Sequence, residues 1–335
     1  MLRGALEELR AGDPWDWPTD MGPVIDEAAR AALEAHVAEA RRAGRVLFDL
    51  PVPATGTFAP PTVIRVGSVA EVTREVFGPV LHVATFRAED LDATLDAVNA
   101  AGYGLTFGLH TRIDDRVQRA VERVRAGNIY VNRNQIGAVV GSQPFGGEGL
   151  SGTGPKAGGP HYLPRFGPPR RETVTDAWDA PERPEALAAA LRSAAAQAAE
   201  GRPLAEPLAM PGPTGESNRL SLHPRVALCL GPGPSAARAQ AEAVVALGGV
   251  AVEARGLVPP EALAALGSLG LVLWWGDETA ARLYEAALAS REGALVPLLL
   301  GRPDQAHATL ERHVCIDTTA AGGNATLLAE AGAGM

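Results

Sequence analysis

Cysteine is the side chain best suited to nucleophilic attack, and the sequence contains two, Cys229 and Cys315. Cys229 lies within the apolar run 225–230, where a free cysteine behaves as a small buried hydrophobe. Cys315 stands near His313 and Asp317, but no base is placed to activate it and no further ligands complete a metal site. We therefore predict that both cysteines are structural, that the chain contains no catalytic residue, and that it holds no metal.

Two glycine-rich segments could bind nucleotide phosphates through their backbone N–H groups. The segment 147–152 satisfies G-x-G-x-x-G, but glycines and prolines on both sides exclude the flanking strand and helix that the motif requires. The segment 231–236 follows a predicted strand and opens a predicted helix, with Glu253 about twenty residues later. Because two prolines within it remove N–H donors, we expect a Rossmann-like domain that has lost nucleotide binding. Real nucleotide binding there remains the alternative.

The composition excludes several classes of protein. The 335 residues carry a formal net charge of -9 and are 46% hydrophobic, which is enough apolar material for two folded domains. The basic residues form no stripe, so nucleic acid is not an expected partner. No apolar run approaches the roughly 18 residues of a membrane helix, so no membrane insertion is expected. The charged N-terminus is unlike a signal peptide and two cysteines make no disulfide framework, so we expect a cytoplasmic protein.

The helices and strands predicted up to residue 175 are of the α/β class. We predict helices at 2–9 and 26–42, followed by a strand at 80–86 and a helix from about Glu89. A further helix is capped by Asp114 and closed by Gly127, and a strand at 128–132 follows it. Frequent glycine and proline between 141 and 168 predict a long loop with no regular element, of a kind that is often functional. Since no capping residue precedes the first helix, we expect the chain to begin inside that helix.

A second break, rich in alanine and proline, covers 176–224 and is predicted to be a connector with one helix at 185–199. After it, strands at 225–230, 249–253, 271–274 and 295–300 alternate with helices at 235–247 and 278–289. This order predicts a Rossmann-like domain. The predicted organisation is therefore a first domain at 1–175, the connector, and a Rossmann-like domain at 225–335.

Three motifs of the first domain resemble the aldehyde dehydrogenase superfamily. They are Glu75-Val76-Phe77-Gly78-Pro79-Val80, Asn128-Ile129-Tyr130-Val131-Asn132 and Gln143-Pro144-Phe145-Gly146-Gly147, in the family's order and spacing. The resemblance implies NAD as the cofactor, with Glu75 bonded to the nicotinamide ribose and Phe77 packed beside the nicotinamide ring. A carboxylate suits the first role because it can accept from two ribose hydroxyls. The alternative is that Glu75 is an ordinary surface charge and Phe77 an ordinary core residue.

The longer stretch 137–156 is similar to the glutamate-semialdehyde dehydrogenases, and most of all to the proline utilization A family. The resemblance implies that backbone amides at Gly137 and Ala138 hold the α-carboxylate of L-glutamate γ-semialdehyde, and that Phe145 packs on its aliphatic chain. Adjacent N–H groups in a glycine-containing turn do form a concave anion site. Some related enzymes have serine where Ala138 stands, so a hydroxyl contact is absent here. The alternative is that the glycines only make turns.

The runs 212–218 and 313–325 resemble the C-terminal domain of the longer proline utilization A proteins. In those proteins this domain resembles an aldehyde dehydrogenase cofactor domain, performs no chemistry and helps to cover the internal cavity. The expected fold is therefore the C-terminal portion of an aldehyde dehydrogenase catalytic domain followed by a Rossmann-like, non-catalytic domain with a terminal lid motif. In the family, the nucleophilic cysteine and the main cofactor domain precede the matching region, and FAD belongs to a separate proline dehydrogenase domain.

The expected function is a part of the NAD-dependent L-glutamate γ-semialdehyde (1-pyrroline-5-carboxylate) dehydrogenase of proline catabolism. By this interpretation the chain is a fragment or the product of a split gene, is inactive alone, and has the missing N-terminal part of the enzyme as its partner. The alternative is a non-catalytic scaffold or lid subunit that docks on a separate catalytic chain. Because the family's segment near 165–175 often contributes to a dimerising β-flap, a homo-oligomer is also expected.

Overall fold

The computed structural model describes residues 2–168, 170–200 and 203–318. It divides into one unit that ends at Ala101 and another that begins at Gly102. Helices and strands occur together in both units, so the predicted α/β class is confirmed. The predicted domain boundaries at residues 175 and 225 stay predictions. The last part of the predicted lid motif, 319–325, lies outside the described residues.

The first unit combines helices with a three-stranded sheet. Its elements are α1 (Leu2–Glu7), α2 (Glu27–Arg42), β1 (Val46–Asp49), β2 (Thr62–Arg65), β3 (Val80–Val83) and α3 (Leu91–Ala100), with 3-10 turns at Val69–Glu71 and Ala88–Asp90. In the sheet, β2 lies between the antiparallel β1 and the parallel β3. α2 begins at Asp26, whose carboxylate accepts from the N–H of Ala29, and its residues Val37 and Ala40 pack against Ile64 of β2.

The second unit contains the remaining elements. In chain order they are β4 (Tyr103–Gly104), β5 (Thr106–Leu109), α4 (Asp114–Arg123), β6 (Asn128–Val131), β7 (Glu148–Gly149), a 3-10 helix (Leu163–Phe166), α5 (Pro184–Glu200), β8 (Leu208–Met210), β9 (Glu216–Pro224), β10 (Val226–Cys229), α6 (Pro234–Ala246), β11 (Val250–Glu253), α7 (Pro260–Ala265), β12 (Leu271–Leu273), α8 (Glu278–Ala289), β13 (Leu298–Leu299), α9 (Gln305–Ala308) and β14 (Thr309–Asp317).

A parallel sheet in the order β11-β10-β12-β13 forms the Rossmann-like part of the second unit. The central strand β10 is buried on both faces, as is typical of a parallel strand between helices. On one face Leu228 packs with Leu191 of α5, and on the other Cys229 packs with Val244 of α6. The Rossmann-like outline predicted from the alternating strands and helices is therefore present.

A second sheet of this unit, in the order β5-β6-β14-β9-β8, draws its strands from distant parts of the chain. β14 pairs in parallel with β6 and pairs antiparallel with β9 along all nine of its residues. The sequence did not predict β8, β9 or β14, so the segment 176–224 is more than a connector with one helix. β9 and β14 escaped the prediction because they bury polar side chains, among them Asn218 and Glu311, so the apolar alternation of a strand is weak.

The limits of α4 differ from those predicted. Asp114 is the first helical residue and not the cap, because the extended residue before it is Ile113, which makes no side-chain cap bond. The helix ends at Arg123, since Val124 turns to extended backbone and is buried. Gly127 therefore does not close the helix. A Cβ at this glycine would lie 1.9 Å from the carbonyl oxygen of Gly146, so its role is to let two segments approach closely.

Other predicted limits are also wrong. The strand predicted at 80–86 ends at Val83, and the strand predicted at 295–300 is reduced to Leu298–Leu299. The segment 141–168 is not wholly irregular, because β7 pairs antiparallel with β4 and the 3-10 helix lies near its end. Such short elements have no hydrophobic period of their own, which explains why the sequence did not indicate them.

Candidate functional site

Glu75 and Phe77 lie in the first unit, on the irregular segment between the turn Val69–Glu71 and β3. Glu75 is exposed and makes no hydrogen bond or ion pair with any described residue, and Phe77 is 87% exposed. The next residue, Gly78, passes so close to α2 that a Cβ there would lie 2.5 Å from the side chain of Leu33. The segment therefore contacts α2 at Gly78, whereas the carboxylate of Glu75 and the phenyl ring of Phe77 are exposed and accessible to a ligand.

Gly137 and Ala138 lie in the second unit, in the loop that follows β6. Gly137 has a φ of +75°, a conformation that favours glycine, and a Cβ there would meet no atom within 4 Å. The backbone N–H groups of Gly137 and Ala138 have no hydrogen-bond partner among the described residues, whereas the next one, that of Val139, donates to Oε1 of Gln143 at 3.4 Å. Two adjacent free donors at a positive-φ glycine form a concave site that can hold an anion.

Phe145 lies further along the same loop, half-buried and held by its backbone. Its N–H donates to the carbonyl oxygen of Ala157 at 3.0 Å, and the N–H of Ala157 donates back at 2.8 Å. The structure therefore places Gly137, Ala138 and Phe145 in one loop of the second unit, and Glu75 and Phe77 in one segment of the first.

A cluster of polar side chains supports this loop from the opposite end of the sequence. Gln143 is buried and donates from Nε2 to Oε1 of Glu216 at 2.9 Å. Arg133, just after β6, donates to the other oxygen of Glu216 at 2.7 Å and to Sγ of Cys315 at 3.4 Å. In the sequence, Cys315 was considered as a nucleophile or metal ligand, and the runs that contain Glu216 and Cys315 were placed in family motifs. The sequence carried no signal for these pairings, because the partners come from distant parts of the chain.

Neither cysteine is suited to nucleophilic attack. Cys229 and Cys315 are both fully buried. Burial raises the pKa of the Cys229 thiol far above its ordinary value, and it raises the pKa of the Cys315 thiol to about 11 against the opposing hydrogen bond from Arg133. A nucleophilic cysteine needs the thiolate form and access to its substrate, and both thiols lack these properties.

The glycine-rich turn 231–236, a candidate phosphate site, already holds an anion of the chain itself. Oδ2 of Asp176 accepts from the backbone N–H of Ser235 at 2.9 Å and from that of Ala236 at 3.0 Å, at the N-terminus of α6. A Cβ at Gly233 would lie 2.3 Å from the carboxylate carbon of Asp176, so the glycine admits this close contact. The side chain thus takes the donors that a phosphate would use.

Within the described ranges 2–168, 170–200 and 203–318, no group of three or more His, Cys, Asp or Glu side chains is arranged to hold a metal ion. No helix within these ranges combines the length and the apolar character needed to cross a membrane.

Comparison with known proteins connects these features to a family. The model of the aldehyde dehydrogenase family matches residues 1–167, a range that includes Glu75, Phe77 and the loop from Gly137 to Phe145. The chain belongs to the aldehyde dehydrogenase family over these residues. The resemblance that the motifs indicated is thereby confirmed, and the loop and the segment described above are parts of an aldehyde dehydrogenase fold.

The similarity to proline utilization A extends beyond these residues, over almost the whole chain. The bifunctional protein PutA of Salmonella typhimurium is 39% identical and covers 98% of this chain, which matches 29% of that protein. The 1-pyrroline-5-carboxylate dehydrogenase of Bacillus cereus is 43% identical over 49% of this chain and 32% of its own length. The chain therefore spans about a third or less of the curated relatives it matches.

A solved structure shows the same fold. Proline utilization A from Corynebacterium freiburgense superposes with a TM-score of 0.64, covering 94% of this chain and 33% of that one at 24% sequence identity. At this level of identity the likeness shows the fold alone. It confirms the prediction of an aldehyde dehydrogenase-like α/β fold.

Proposed function

We propose that this chain is part of an NAD-dependent dehydrogenase that oxidises L-glutamate γ-semialdehyde, the open-chain form of 1-pyrroline-5-carboxylate, to glutamate. The observation that carries the proposal is the pair of unpartnered N–H groups at Gly137 and Ala138, in the loop that also holds Phe145. The names of the relatives support the substrate, since one is a 1-pyrroline-5-carboxylate dehydrogenase and the other a bifunctional PutA protein.

The loop would distinguish this substrate from aldehydes without a carboxylate, because it would bind the α-carboxylate. The two free N–H groups would donate to the carboxylate oxygens, and charge-assisted bonds of this kind are stronger than neutral ones. Phe145 would cover the aliphatic chain and exclude water from it. Ala138 has no hydroxyl, so the carboxylate would be held by the backbone without a side-chain donor.

The residues of the first unit fit the nicotinamide end of NAD, the group that supplies the hydride acceptor when bound. The exposed carboxylate of Glu75 has both oxygens available for ribose hydroxyls, since no described residue uses them. The phenyl ring of Phe77 is exposed and could pack beside a flat ring. These two side chains would orient the nicotinamide and leave the chemistry to other groups.

The thiolate that attacks the aldehyde would come from polypeptide outside this sequence. Both cysteines of the chain are buried and have raised pKa values, so neither can take that part. The chain alone would therefore bind ligands but would not catalyse oxidation of the aldehyde.

A second candidate is a non-catalytic scaffold or lid subunit that docks on a separate catalytic chain. The first unit favours it with three fully exposed apolar side chains, which are typical of a covered surface. They are Trp15, Trp17 and Ile25, with exposed fractions of 91%, 101% and 92%.

The two candidates differ in what the loop does. The purified chain is mixed with a polypeptide that supplies the nucleophilic cysteine, and NADH formation is followed with the semialdehyde and with propanal, which lacks a carboxylate. The variant Ala138→Pro, which removes one N–H donor, should raise KM for the semialdehyde at least tenfold and leave KM for propanal unchanged. The control Ala138→Ser keeps the N–H donor and should not raise KM for either aldehyde.

Two results would contradict parts of this proposal. If the complex forms but Ala138→Pro changes the KM of both aldehydes equally, the loop does not recognise the carboxylate and the scaffold is favoured. If the chain reduces NAD with the semialdehyde by itself, the proposed absence of a nucleophile is wrong.

A further inference from the structure

Lys156 is unusual in both composition and burial. Lysine and arginine together number 30 in this sequence, and Lys156 is the only lysine among them. It is 2% exposed, although a buried cation is costly to desolvate. At all the remaining positions of this set the chain has arginine, so it keeps an ammonium group at this one buried position. This pattern indicates a role that arginine cannot fill.

The side chain of Lys156 holds the loop on both sides of Phe145. Its Nζ donates to Oδ1 of Asn128 at 2.9 Å and to the carbonyl oxygen of Gly146. Asn128 in turn donates from Nδ2 to the carbonyl oxygen of Pro144 at 2.8 Å and accepts from the N–H of Gly146 at 3.1 Å. One lysine and one asparagine therefore satisfy the backbone directly before and directly after the phenylalanine.

The backbone of Phe145 itself pairs with Ala157, the residue that follows Lys156. With the bonds above, every backbone hydrogen-bonding group from the carbonyl of Pro144 to the carbonyl of Gly146 has a partner within the chain. Residues 144–146 belong to no helix or named strand, so these bonds hold the backbone there.

We propose that Lys156 is a positioning residue for the substrate. Its side-chain nitrogen, together with Asn128, fixes the backbone on both sides of Phe145 and so keeps the phenyl ring in place to pack on the aliphatic chain of the aldehyde. This inference rests on the proposed function of Phe145, but the hold on the backbone can be measured without turnover.

Nζ lies close to Gly127, since a Cβ built at this glycine would be 2.7 Å from Nζ. We therefore expect the larger guanidinium of an arginine to disturb the packing on that side. Burial lowers the pKa of Lys156 to about 7, against the opposing charges of Glu311 and Glu148 and with the help of Arg312. The amine and the ammonium can both donate to two oxygen acceptors, whereas a buried arginine must remain charged.

The first experiment measures amide hydrogen exchange in the variants Lys156→Met and Lys156→Arg. Both should speed the exchange of the Phe145 and Ala157 amides at least tenfold, because the methionine cannot donate and the larger arginine should disturb the packing. The control Gln240→Met removes another fully buried hydrogen bond, from the N–H of Gly231, and should leave both amides unchanged. Strands β10 and β12 should keep their protection in all three variants.

Exchange of both amides within twofold of the original chain in Lys156→Met would overturn the proposal. So would an equal rise of exchange in β10 and β12, because a merely structural lysine would lower protection everywhere.

A second measurement uses the unmodified chain and does not depend on a variant that folds. Since Lys156 is the only lysine, an amine-acylating reagent can react only there and at the α-amino group. At one fixed pH, the side-chain amine of Lys156 should react at least tenfold more slowly in the native chain than in denaturant. Equal rates in the native chain and in denaturant would show that the amine is not held by Asn128 and Gly146 and would overturn the proposal.

The link to the substrate is tested in the complex that oxidises the semialdehyde. Lys156→Met should raise KM at least tenfold with kcat changed less than threefold, and Phe145→Ala should do the same. The double variant should add nothing to either single one, whereas additive effects would separate Lys156 from Phe145 and overturn the positioning role. If no complex is active, the proposed function fails, while the exchange and acylation results still decide whether Lys156 holds the loop.

Discussion

Glu216 accepts a hydrogen bond of 2.9 Å from Nε2 of Gln143, although 73 positions separate the two residues in the sequence. Its other carboxylate oxygen accepts from Arg133, so one side chain of β9 binds both the start and the middle of the loop that follows β6. The loop that contains Gly137 and Ala138 is thus braced by a strand from the second half of the chain. This relationship gives the first of four predictions.

Replacing Glu216 with alanine should lower the free energy of unfolding by about 2 kcal/mol, because it leaves the guanidinium of Arg133 without its charged partner. The side chains of the pair are 17% and 15% exposed, so the loss should be below the about 3–5 kcal/mol of a fully buried pair. Urea denaturation measures the change. The control Glu7→Ala breaks an exposed pair with Arg3 and should have no measurable effect, and equal losses in the two variants would contradict the prediction.

Replacing Asp176 with alanine should destabilise the Rossmann-like part by about 1–2 kcal/mol. The variant loses two hydrogen bonds to the backbone and a negative charge at the N-terminus of α6. Thermal denaturation measures the loss, and Asp176→Asn, which keeps an acceptor without the charge, should lie between. Asp179→Ala is the control because that carboxylate is exposed and three positions away. A loss of the same size in both alanine variants would show that the contact at α6 contributes nothing.

Stability should fall when the pH is lowered from about 6.5 to about 4, because of two histidines, the fully buried His313 and the partly buried His223. Burial lowers the pKa of His223 and of His313 to about 4, whereas an unfolded histidine has a pKa near 6.5. Between these values the unfolded chain binds more protons, so each histidine removes about 1.4 kcal/mol of unfolding free energy per pH unit. Above pH 6.5 both are neutral in both states and their contribution is constant.

Urea denaturation over this pH range tests the histidines one at a time. His313→Leu should reduce the slope of unfolding free energy against pH by about 1.4 kcal/mol per unit. His110→Leu changes an exposed histidine and should leave the slope unchanged. An unchanged slope in His313→Leu would show that this histidine is accessible to protons in the folded chain.

Both cysteines should resist thiol reagents in the native chain. Cys229 and Cys315 are fully buried with raised pKa values, so little thiolate forms near neutral pH and none of it is accessible. Titration with an aromatic disulfide reagent should release fewer than one equivalent in buffer and two in denaturant. Rapid reaction of one thiol in buffer would show that this thiol is accessible, and that cysteine would again be a candidate nucleophile.

Elements with a strong apolar pattern were predicted from the sequence almost to the residue. α8 begins at Glu278 and ends at Ala289 as predicted, and β10 and β11 lie within one or two residues of their predicted limits. The strands β9 and β14 were not predicted, because their buried side chains are largely polar and such residues are usually assigned to the surface. Asn218 and Glu311 can be buried because they form hydrogen bonds with other segments of the fold, Asn218 with the carbonyl oxygen of Pro211 and Glu311 with the N–H of Lys156.

The sequence by itself determined the family, the α/β class and the segments that contain Glu75, Phe77, Gly137, Ala138 and Phe145. These features depend on residues that are close together along the chain, where local spacing carries the information. The tertiary structure alone decided that Glu216 braces the loop, that Asp176 fills the turn before α6, and that Lys156 reaches Asn128. Each of these contacts joins charged or polar groups from distant segments, and only folding brings such groups within hydrogen-bonding distance.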